Sequence, residues 1–292
     1  MSGFDDRVPA ADVARLVVSC ADRPGIVAAL SALLARTGAN IVTSDQYSTD
    51  PEGGRFFLRM TFHLEGLAAL RAKLEQELAA VAAEFALEWR LATGSERKRV
   101  ALFASRYEHC LLDLLWRWRR GELDIDVVAV VSNHPDLEEE VRRFGVPYHH
   151  VPVTRETKPA AEQAALDLLV GKVDLVVLAR YMQVLSADFL RRIGAPVINI
   201  HHSFLPAFAG ASPYDQAFAR GVKLVGATAH YATEDLDEGP IIEQDVARVT
   251  HRQHPVELVR VGRDLERVVL ARAVMWHVQD RVLVDGHRTV AF

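Results

Sequence analysis

The chain has 292 residues, of which 50% are hydrophobic and 25% are charged, so it can bury a substantial core and is neither disordered nor fibrous. At roughly 150 residues per domain, this length suggests two domains. The formal net charge of −5 lacks the excess of basic residues found on nucleic-acid-binding surfaces, so we expect no nucleic-acid partner.

The first segment alternates quickly between strand-like and helix-like patterns. The predicted elements are, in order, strand Ala14–Cys20, helix Ile26–Thr37, strands Ile41–Tyr47 and Arg55–His63, helix Leu67–Phe85 and strand Leu87–Leu91. The order β-α-β-β-α-β is the ferredoxin-like arrangement. We therefore expect a ferredoxin-like domain over residues 1–92, followed by a polar linker at residues 93–98.

The second segment, residues 99–292, has a slower rhythm of apolar strands and helices. The predicted strands are Arg99–Ala104, Asp126–Ser132, Leu175–Ala179, Val197–His201 and Leu224–His230. Helical patterns are found at Cys110–Arg120, Asp136–Phe144, Ala160–Val170, Ala187–Ile193 and from His254 to about Asp280. This alternation predicts an α/β domain with a mostly parallel, Rossmann-like open sheet. Ligands bind at the carboxyl ends of such strands, which directs attention to the residues just after Ala179, Ile198 and His230.

Two polar side chains interrupt the apolar strand at Val197–His201. Asn199 and His201 are two residues apart, so they lie on the same face of the strand. Buried polar groups need hydrogen-bond partners, so this pair is either a structural lock or part of a site.

Four carboxylates follow the strand that ends at His230. They are Glu234, Asp235, Asp237 and Glu238. A charged run of this kind is commonly a solvated loop. Beside Asn199 and His201, one of these carboxylates would instead supply a general base or orient a histidine, but the spacing does not show which one.

These motifs together resemble a known family. The pattern Asn199-x-His201-x-Ser203-x-Leu205-Pro206, followed by His230 and Asp237-x-Gly239, is similar to the folate-dependent formyltransferases over roughly Arg99–Val278. The turn Asp22–Ile26 resembles that of an ACT regulatory domain. An ACT domain joined to the longer run His201–Gly210 resembles the formyltetrahydrofolate deformylase branch, which hydrolyses 10-formyltetrahydrofolate to formate and tetrahydrofolate.

The resemblance implies roles for particular residues. Asn199, His201 and Asp237 would be catalytic: the amide and a protonated imidazole would stabilise an oxyanion, while the carboxylate would activate water and stabilise charged His201. The residues implied to bind the folate are Met182, Val184, Leu185, His230, Ala232 and Leu236. Core packing is the alternative for Met182 and Leu185. The folate would be the substrate, so no cofactor is expected.

One departure from the family bears on the formyl acceptor. Related transferases that formylate a phosphorylated amine have a glycine-rich turn after the first strand of this domain, whose N–H groups hold the phosphate. The corresponding residues here, Ala104–Cys110, contain no glycine and include Glu108. Water is therefore the expected acceptor. The alternatives are transfer of the formyl group to an amine and a non-catalytic sensor of folate or amino acids.

Further expectations concern ligands, assembly and location. The ACT resemblance implies an amino-acid effector near Asp22, Gly25 and Asn40 and a homo-oligomer, either a dimer or a tetramer, although a module that serves assembly alone is the alternative. No metal is expected, because close-spaced ligand pairs are lacking. His202 is expected to face solvent or to be hydrogen-bonded. Without an export signal, a span of about 18 apolar residues or paired cysteines, the chain is expected to be cytoplasmic, with no membrane partner.

Overall fold

The computed structural model describes residues 9–50, 52–206 and 213–292, so residues 207–210 of the run used above lie outside the described residues. The chain divides into two compact units. The first contains the residues up to Arg97 together with Asp280–Leu283 and Val290–Phe292, and the second contains Lys98–Gln279 and Val284–Thr289. No helix in the described ranges is both long enough and apolar enough to cross a membrane.

The first unit is built on a four-stranded antiparallel sheet. Its elements are a 3-10 helix at Ala10–Asp12, β1 Val13–Ala21, α1 Ile26–Arg36, β2 Asn40–Ser48, β3 Arg55–His63, α2 Leu67–Phe85 and β4 Glu88–Thr93. The strand order is β2-β3-β1-β4, and the predicted βαββαβ order is confirmed. Alternate residues of β1 and β3, such as Leu16 and Phe62, are buried against helix residues such as Leu30 and Leu78, as the two-residue period of a strand requires.

The end of the chain departs from the expected division, which placed every residue from 99 to 292 in the second domain. Asp280 accepts a hydrogen bond from Arg15 of β1 at 2.9 Å. Leu283 packs with Val17 of β1 and Phe57 of β3 in a small buried apolar cluster. These contacts, which the local sequence pattern does not encode, account for the return of the last residues to the first unit.

The second unit is an open α/β sheet. Its elements are β5 Lys98–Ala104, α3 His109–Arg119, β6 Ile125–Ser132, α4 Glu138–Arg142, β7 Tyr148–His150, α5 Lys158–Leu169, β8 Leu175–Leu178, α6 Ala187–Arg192, β9 Val197–His201, α7 Pro213–Arg220, β10 Leu224–Tyr231, β11 Ile241–Arg248 and α8 Pro255–Val278. The strand order is β11-β10-β9-β8-β5-β6-β7, and the five strands β9, β8, β5, β6 and β7 are parallel. A two-stranded hairpin of β12 Val282–Asp285 and β13 Arg288–Ala291 closes the chain.

The direction of β10 corrects one expectation. This strand runs antiparallel to β9, so His230 lies directly opposite Asn199 instead of at a shared carboxyl edge. The two polar side chains therefore meet across the strand pair. β7, β11, α7 and the hairpin were not predicted. In β11 the reason is that polar residues occupy positions where a buried strand would have apolar ones.

Candidate active site

Asn199, the first residue of the pair predicted on β9, is hydrogen-bonded to His230. Asn199 Nδ2 lies 3.2 Å from His230 Nε2. His230 Nδ1 lies 3.0 Å from the carbonyl oxygen of Tyr231, and a carbonyl can only accept, so the ring carries a proton on Nδ1. Nε2 is then available to accept from the Asn199 amide. His230 thereby fixes which way that amide points.

Asp237 is the carboxylate that reaches the two histidines. Its Oδ1 is 3.2 Å from His201 Nδ1 and 3.6 Å from His230 Nε2. The hydrogen bond from His201, followed by the influence of the neighbouring His230 ring, holds the pKa of the Asp237 carboxyl well below its usual range, against the opposing effect of burial. Asp237 is therefore ionised throughout the neutral pH range. Of the other candidates, Glu234 pairs with Arg191 at 3.1 Å instead.

The loop that delivers Asp237 has an unusual backbone. Asp237 has a φ of 60°, in the left-handed region that non-glycine residues rarely adopt. At Gly239, an added Cβ would lie 1.7 Å from the carbonyl oxygen of Tyr231, so only glycine fits there. The Asp-x-Gly spacing thus lets the loop fold back on β10 and bring its carboxylate to β9.

One polar atom of this group has no protein partner. His201 Nδ1 donates to Asp237, since a carboxylate can only accept. His201 Nε2 is buried and has no hydrogen-bond partner among the described residues. A buried nitrogen left in this state carries a free-energy cost that a bound ligand would relieve. When the ring is protonated on both nitrogens, Nε2–H is free to donate a hydrogen bond to a substrate oxygen.

Apart from His230, which hydrogen-bonds Asn199 as described above, the residues predicted to bind the folate fall into two groups. Met182, Val184 and Leu236 are apolar yet 51%, 53% and 63% exposed, so each presents apolar surface to solvent. Leu185 and Ala232 are half-buried against the second unit's core. Core packing thus describes Leu185, as the alternative had it, but not Met182.

The loop that carries Met182 is fixed by residues that the sequence did not single out. The Met182 N–H donates to Ser105 Oγ at 2.9 Å, and Ser105 Oγ donates to Asn133 Oδ1 at 2.7 Å. Ser105 follows β5 and Asn133 follows β6, so the carboxyl ends of two strands hold the loop after β8. The signal available in the sequence was that Ser105 and Asn133 are polar residues directly after predicted strands.

Comparison with known proteins identifies both units. A formyl transferase family model matches residues 98–274, and an ACT domain model matches residues 14–79. A formyltetrahydrofolate deformylase of Mycobacterium bovis is 60% identical, covering 97% of this chain and 91% of its own. That of Bacillus subtilis is 51% identical, covering 96% and 94%. The chain belongs to the formyltetrahydrofolate deformylase family. It is an enzyme of the hydrolase class.

Solved structures agree with this assignment. A formyltetrahydrofolate deformylase from Pseudomonas syringae pv. tomato is similar at a TM-score of 0.90 and 49% identity, covering 96% of this chain and 94% of its own. A glycinamide ribonucleotide transformylase from Symbiobacterium toebii is similar at a TM-score of 0.64 and 30% identity, covering 70% of this chain and 98% of its own. The expected ACT-type and formyltransferase-type architecture is confirmed.

A second carboxylate cluster, which the sequence analysis missed, lies at the carboxyl edge of the same sheet. We call His109, Arg180, Tyr214 and Glu266 the Glu266 cluster. Glu266 accepts hydrogen bonds from Tyr214 at 2.9 Å and His109 Nε2 at 2.8 Å, and its carboxylate lies 3.3 Å from Arg180 Nε. Burial would raise the pKa of Glu266, but hydrogen bonding from His109 and the charge of Arg180 outweigh it and lower the pKa.

The backbone gives up stability to form this cluster. Arg180 has a φ of 62°, a conformation that costs a non-glycine residue on the order of 1 kcal/mol. Gly262, one turn before Glu266 in α8, costs the helix about 1 kcal/mol relative to alanine. A Cβ there would lie 1.8 Å from the Tyr214 hydroxyl oxygen, so the glycine makes room for that hydroxyl.

His202 lies between the two clusters. Its ring centroid is 5.2 Å from that of His201 and 6.0 Å from that of Tyr214. The expectation of a solvent-facing residue is wrong, because the side chain is half-buried. Burial, helped by the charge of Arg180, lowers the pKa of His202 to about 4, so the ring is neutral at neutral pH.

The first unit contains a cavity at the predicted effector turn. The cavity has a volume of about 640 Å³ and is lined by Asp22 and Gly25 together with Gln46, Ser48 and other residues. Gly25 has a φ of 101°, which explains the glycine. Asn40, the third predicted effector residue, starts β2 and does not line the cavity.

Proposed function

We propose that the enzyme hydrolyses 10-formyltetrahydrofolate to formate and tetrahydrofolate, with water as the formyl acceptor. The observation that carries the proposal is the contact of Asp237 Oδ1 with His201 Nδ1 at 3.2 Å. The other ring nitrogen of His201, Nε2, is buried and has no hydrogen-bond partner in the described part of the chain. The names of the relatives support the choice of substrate. The low pKa of the Asp237 carboxyl supports its role as a permanent negative charge in the site.

The proposal places the folate against the exposed apolar side chains. Met182 and Val184 would contact the ring system on one segment, and Leu236 would close over it from the loop that also carries Asp237. Covering these side chains would remove apolar surface from water, at roughly 25 cal/mol for each Å². Leu185 and Ala232 would support the two segments from the core side.

The first chemical step is attack of water on the formyl carbon. Negative charge develops on the formyl oxygen, which would accept hydrogen bonds from Nε2–H of a doubly protonated His201 and from the Asn199 amide hydrogen not used by His230. Each donor would lower the barrier by roughly 3 kcal/mol. Both imidazole contacts use Asp237 Oδ1, so we assign Oδ2 to the attacking water.

The second step transfers protons and breaks the bond to nitrogen. As the C–O bond forms, the water oxygen becomes strongly acidic, so Asp237 can take its proton despite being a weak base. N10 gains a proton from His201 or a relayed water, and the bond between the formyl carbon and N10 breaks. The products are tetrahydrofolate, formate and one released proton, and no covalent intermediate or cofactor is involved.

The first unit would supply regulation and assembly. The cavity beside Asp22 and Gly25 would bind an amino acid, and the exposed edge strand β2 would pair with a second copy in a dimer or tetramer. Titration with a panel of amino acids, followed by turnover and by light scattering, would measure both properties. Unchanged turnover and a monomer at every concentration would contradict this part of the proposal.

Formate release without an acceptor tests the main proposal. The purified enzyme is mixed with 10-formyltetrahydrofolate alone, and formate and tetrahydrofolate are measured in equal amounts. A formyltransferase would release formate only at a background rate until an amine is added. A folate sensor would bind the compound and leave it intact with or without an amine.

A further inference from the structure

The Glu266 cluster lies where a second ligand of this sheet would bind. Strands β9, β8 and β5 are parallel neighbours, so their carboxyl ends meet at one edge. His202 follows β9, Arg180 follows β8, and His109 begins the helix after β5. In open α/β sheets, ligands occupy the crevice at this edge.

The cluster fills that edge with protein atoms. Glu266 is 1% exposed, Arg180 is 9% exposed and Tyr214 is 8% exposed. His202 extends the filled region to the catalytic group, since its ring packs between those of His201 and Tyr214. The left-handed Arg180 and the helix glycine Gly262 show that side chains are held there at the expense of backbone stability.

A resident metal is a poorer account of the same residues. Potential ligand atoms of His109, Cys110 and Glu266 lie within 4.8 Å of one another. However, Arg180 Nε lies 3.3 Å from Glu266 and already supplies the positive charge that a cation would bring. Burial also raises the pKa of the Cys110 thiol well above its usual value, which disfavours the thiolate that metal binding needs.

We propose that the Glu266 cluster, together with His202, determines the acceptor specificity of the enzyme by occupying the space in which an amine acceptor would stand. An acceptor nitrogen must come to about 3–3.5 Å from the formyl carbon, and the rest of its molecule needs room behind it. Water needs only about 30 Å³. The inference rests on the hydrolysis proposed above and adds the residues that limit the nucleophile to water.

Opening the cluster tests the inference. The double variant Arg180→Gly/Glu266→Gln removes both charges together and places glycine at the left-handed φ. A second variant, Tyr214→Ala, opens space without touching the ion pair, and Tyr214→Phe keeps the ring while removing the hydrogen bond to Glu266. Each is incubated with 10-formyltetrahydrofolate and either glycinamide or hydroxylamine, and formate and formylated amine are measured by mass spectrometry.

We expect the ratio of formyl transfer to hydrolysis to rise at least tenfold in the two opened variants. In that reaction the amine nitrogen bonds to the formyl carbon, the bond to N10 breaks, and the proton lost by the amine ends on N10. The Tyr214→Phe ratio should stay at the wild-type value, because the ring still fills the space.

Several results would overturn the inference. The first is an unchanged ratio of formyl transfer to hydrolysis in a folded variant whose crystal structure shows the opened space. The second is an equal rise of this ratio in Tyr214→Phe and Tyr214→Ala. The third is the loss of both formyl transfer and hydrolysis in the opened variants. Failure of the proposed function would look different, because wild-type enzyme without amine would then release no formate. The outcome for the cluster is therefore separable from the outcome for hydrolysis.

Discussion

The two carboxylate–histidine clusters of the second unit place similar residues in different surroundings. Asp237 has a side chain 16% exposed, and a single oxygen meets two imidazoles. Glu266 is 1% exposed, and its two oxygens meet a tyrosine, a histidine and an arginine. Both carboxyls have a lowered pKa. Residue type and ionisation therefore do not distinguish the proposed catalytic carboxylate from the buried one.

What separates them is the consequence of losing a partner. The Asp237 side chain is 16% exposed, so we expect the fold to tolerate its neutralisation better than the proposed chemistry does. Glu266 has only protein partners around a fully buried charge, and removing it would leave Arg180 buried without its counter-ion. The comparison predicts opposite effects on stability and turnover for the two carboxylates.

The largest expected effect is on the stability of the Glu266→Ala variant. Breaking a buried ion pair by removing one partner costs about 3–5 kcal/mol, so the urea midpoint of unfolding should fall sharply. Asp237→Asn should lower the free energy of unfolding by less than half as much, because the Asp237 side chain is 16% exposed and asparagine can still accept a hydrogen bond from His201. Equal losses of the free energy of unfolding in Glu266→Ala and Asp237→Asn would contradict the distinction between the two carboxylates.

The next largest effect is on the turnover of Asp237→Asn. Neutralising this residue should lower kcat at least a hundredfold, about 2.7 kcal/mol, while the folate dissociation constant stays within a few-fold. The exposed neighbour Glu238 provides the matched control, and Glu238→Gln should keep wild-type kcat. Turnover near normal in Asp237→Asn would remove Asp237 from the mechanism.

His202, between the clusters, should make stability depend on pH. Its pKa is about 4 in the folded chain against about 6.5 when unfolded, so the unfolded chain binds more protons between these values. The contribution is complete above about pH 6.5 and is lost as the pH falls towards 4, by about 2 kcal/mol for a half-buried ring.

The His202→Gln variant should lose less stability than the wild type over that pH range, as measured by urea unfolding at several pH values. Replacing the exposed His251 by Gln should leave the pH dependence as it is in the wild type. The same slope in the His202 variant would contradict a neutral, buried ring.

The smallest expected effect concerns His230 as a positioning residue. His230→Gln should lower kcat about tenfold, or about 1.4 kcal/mol, because the Asn199 amide loses its fixed orientation. Most of this loss should disappear in an Asn199→Ala background, which a double-mutant cycle on kcat would measure. Fully additive losses would show that His230 acts independently of Asn199.

The sequence alone determined the elements whose signals are local. Alternation placed Asn199 and His201 on one face of a strand, and the rhythm of strands and helices predicted both sheet types. The family motifs pointed to Asp237 and the effector turn. Each of these signals lies within a short stretch of sequence, so it can be detected without knowing which distant segments meet.

Only the tertiary structure decided which groups meet across long separations. The antiparallel direction of β10 brought His230 opposite Asn199, and the folded-back loop brought the Asp237 carboxylate within 3.2 Å of His201. Glu266 and His109 are 157 residues apart, and neither belongs to a motif. Such contacts depend on the packing of whole helices onto the sheet, which the pattern of any single segment does not encode.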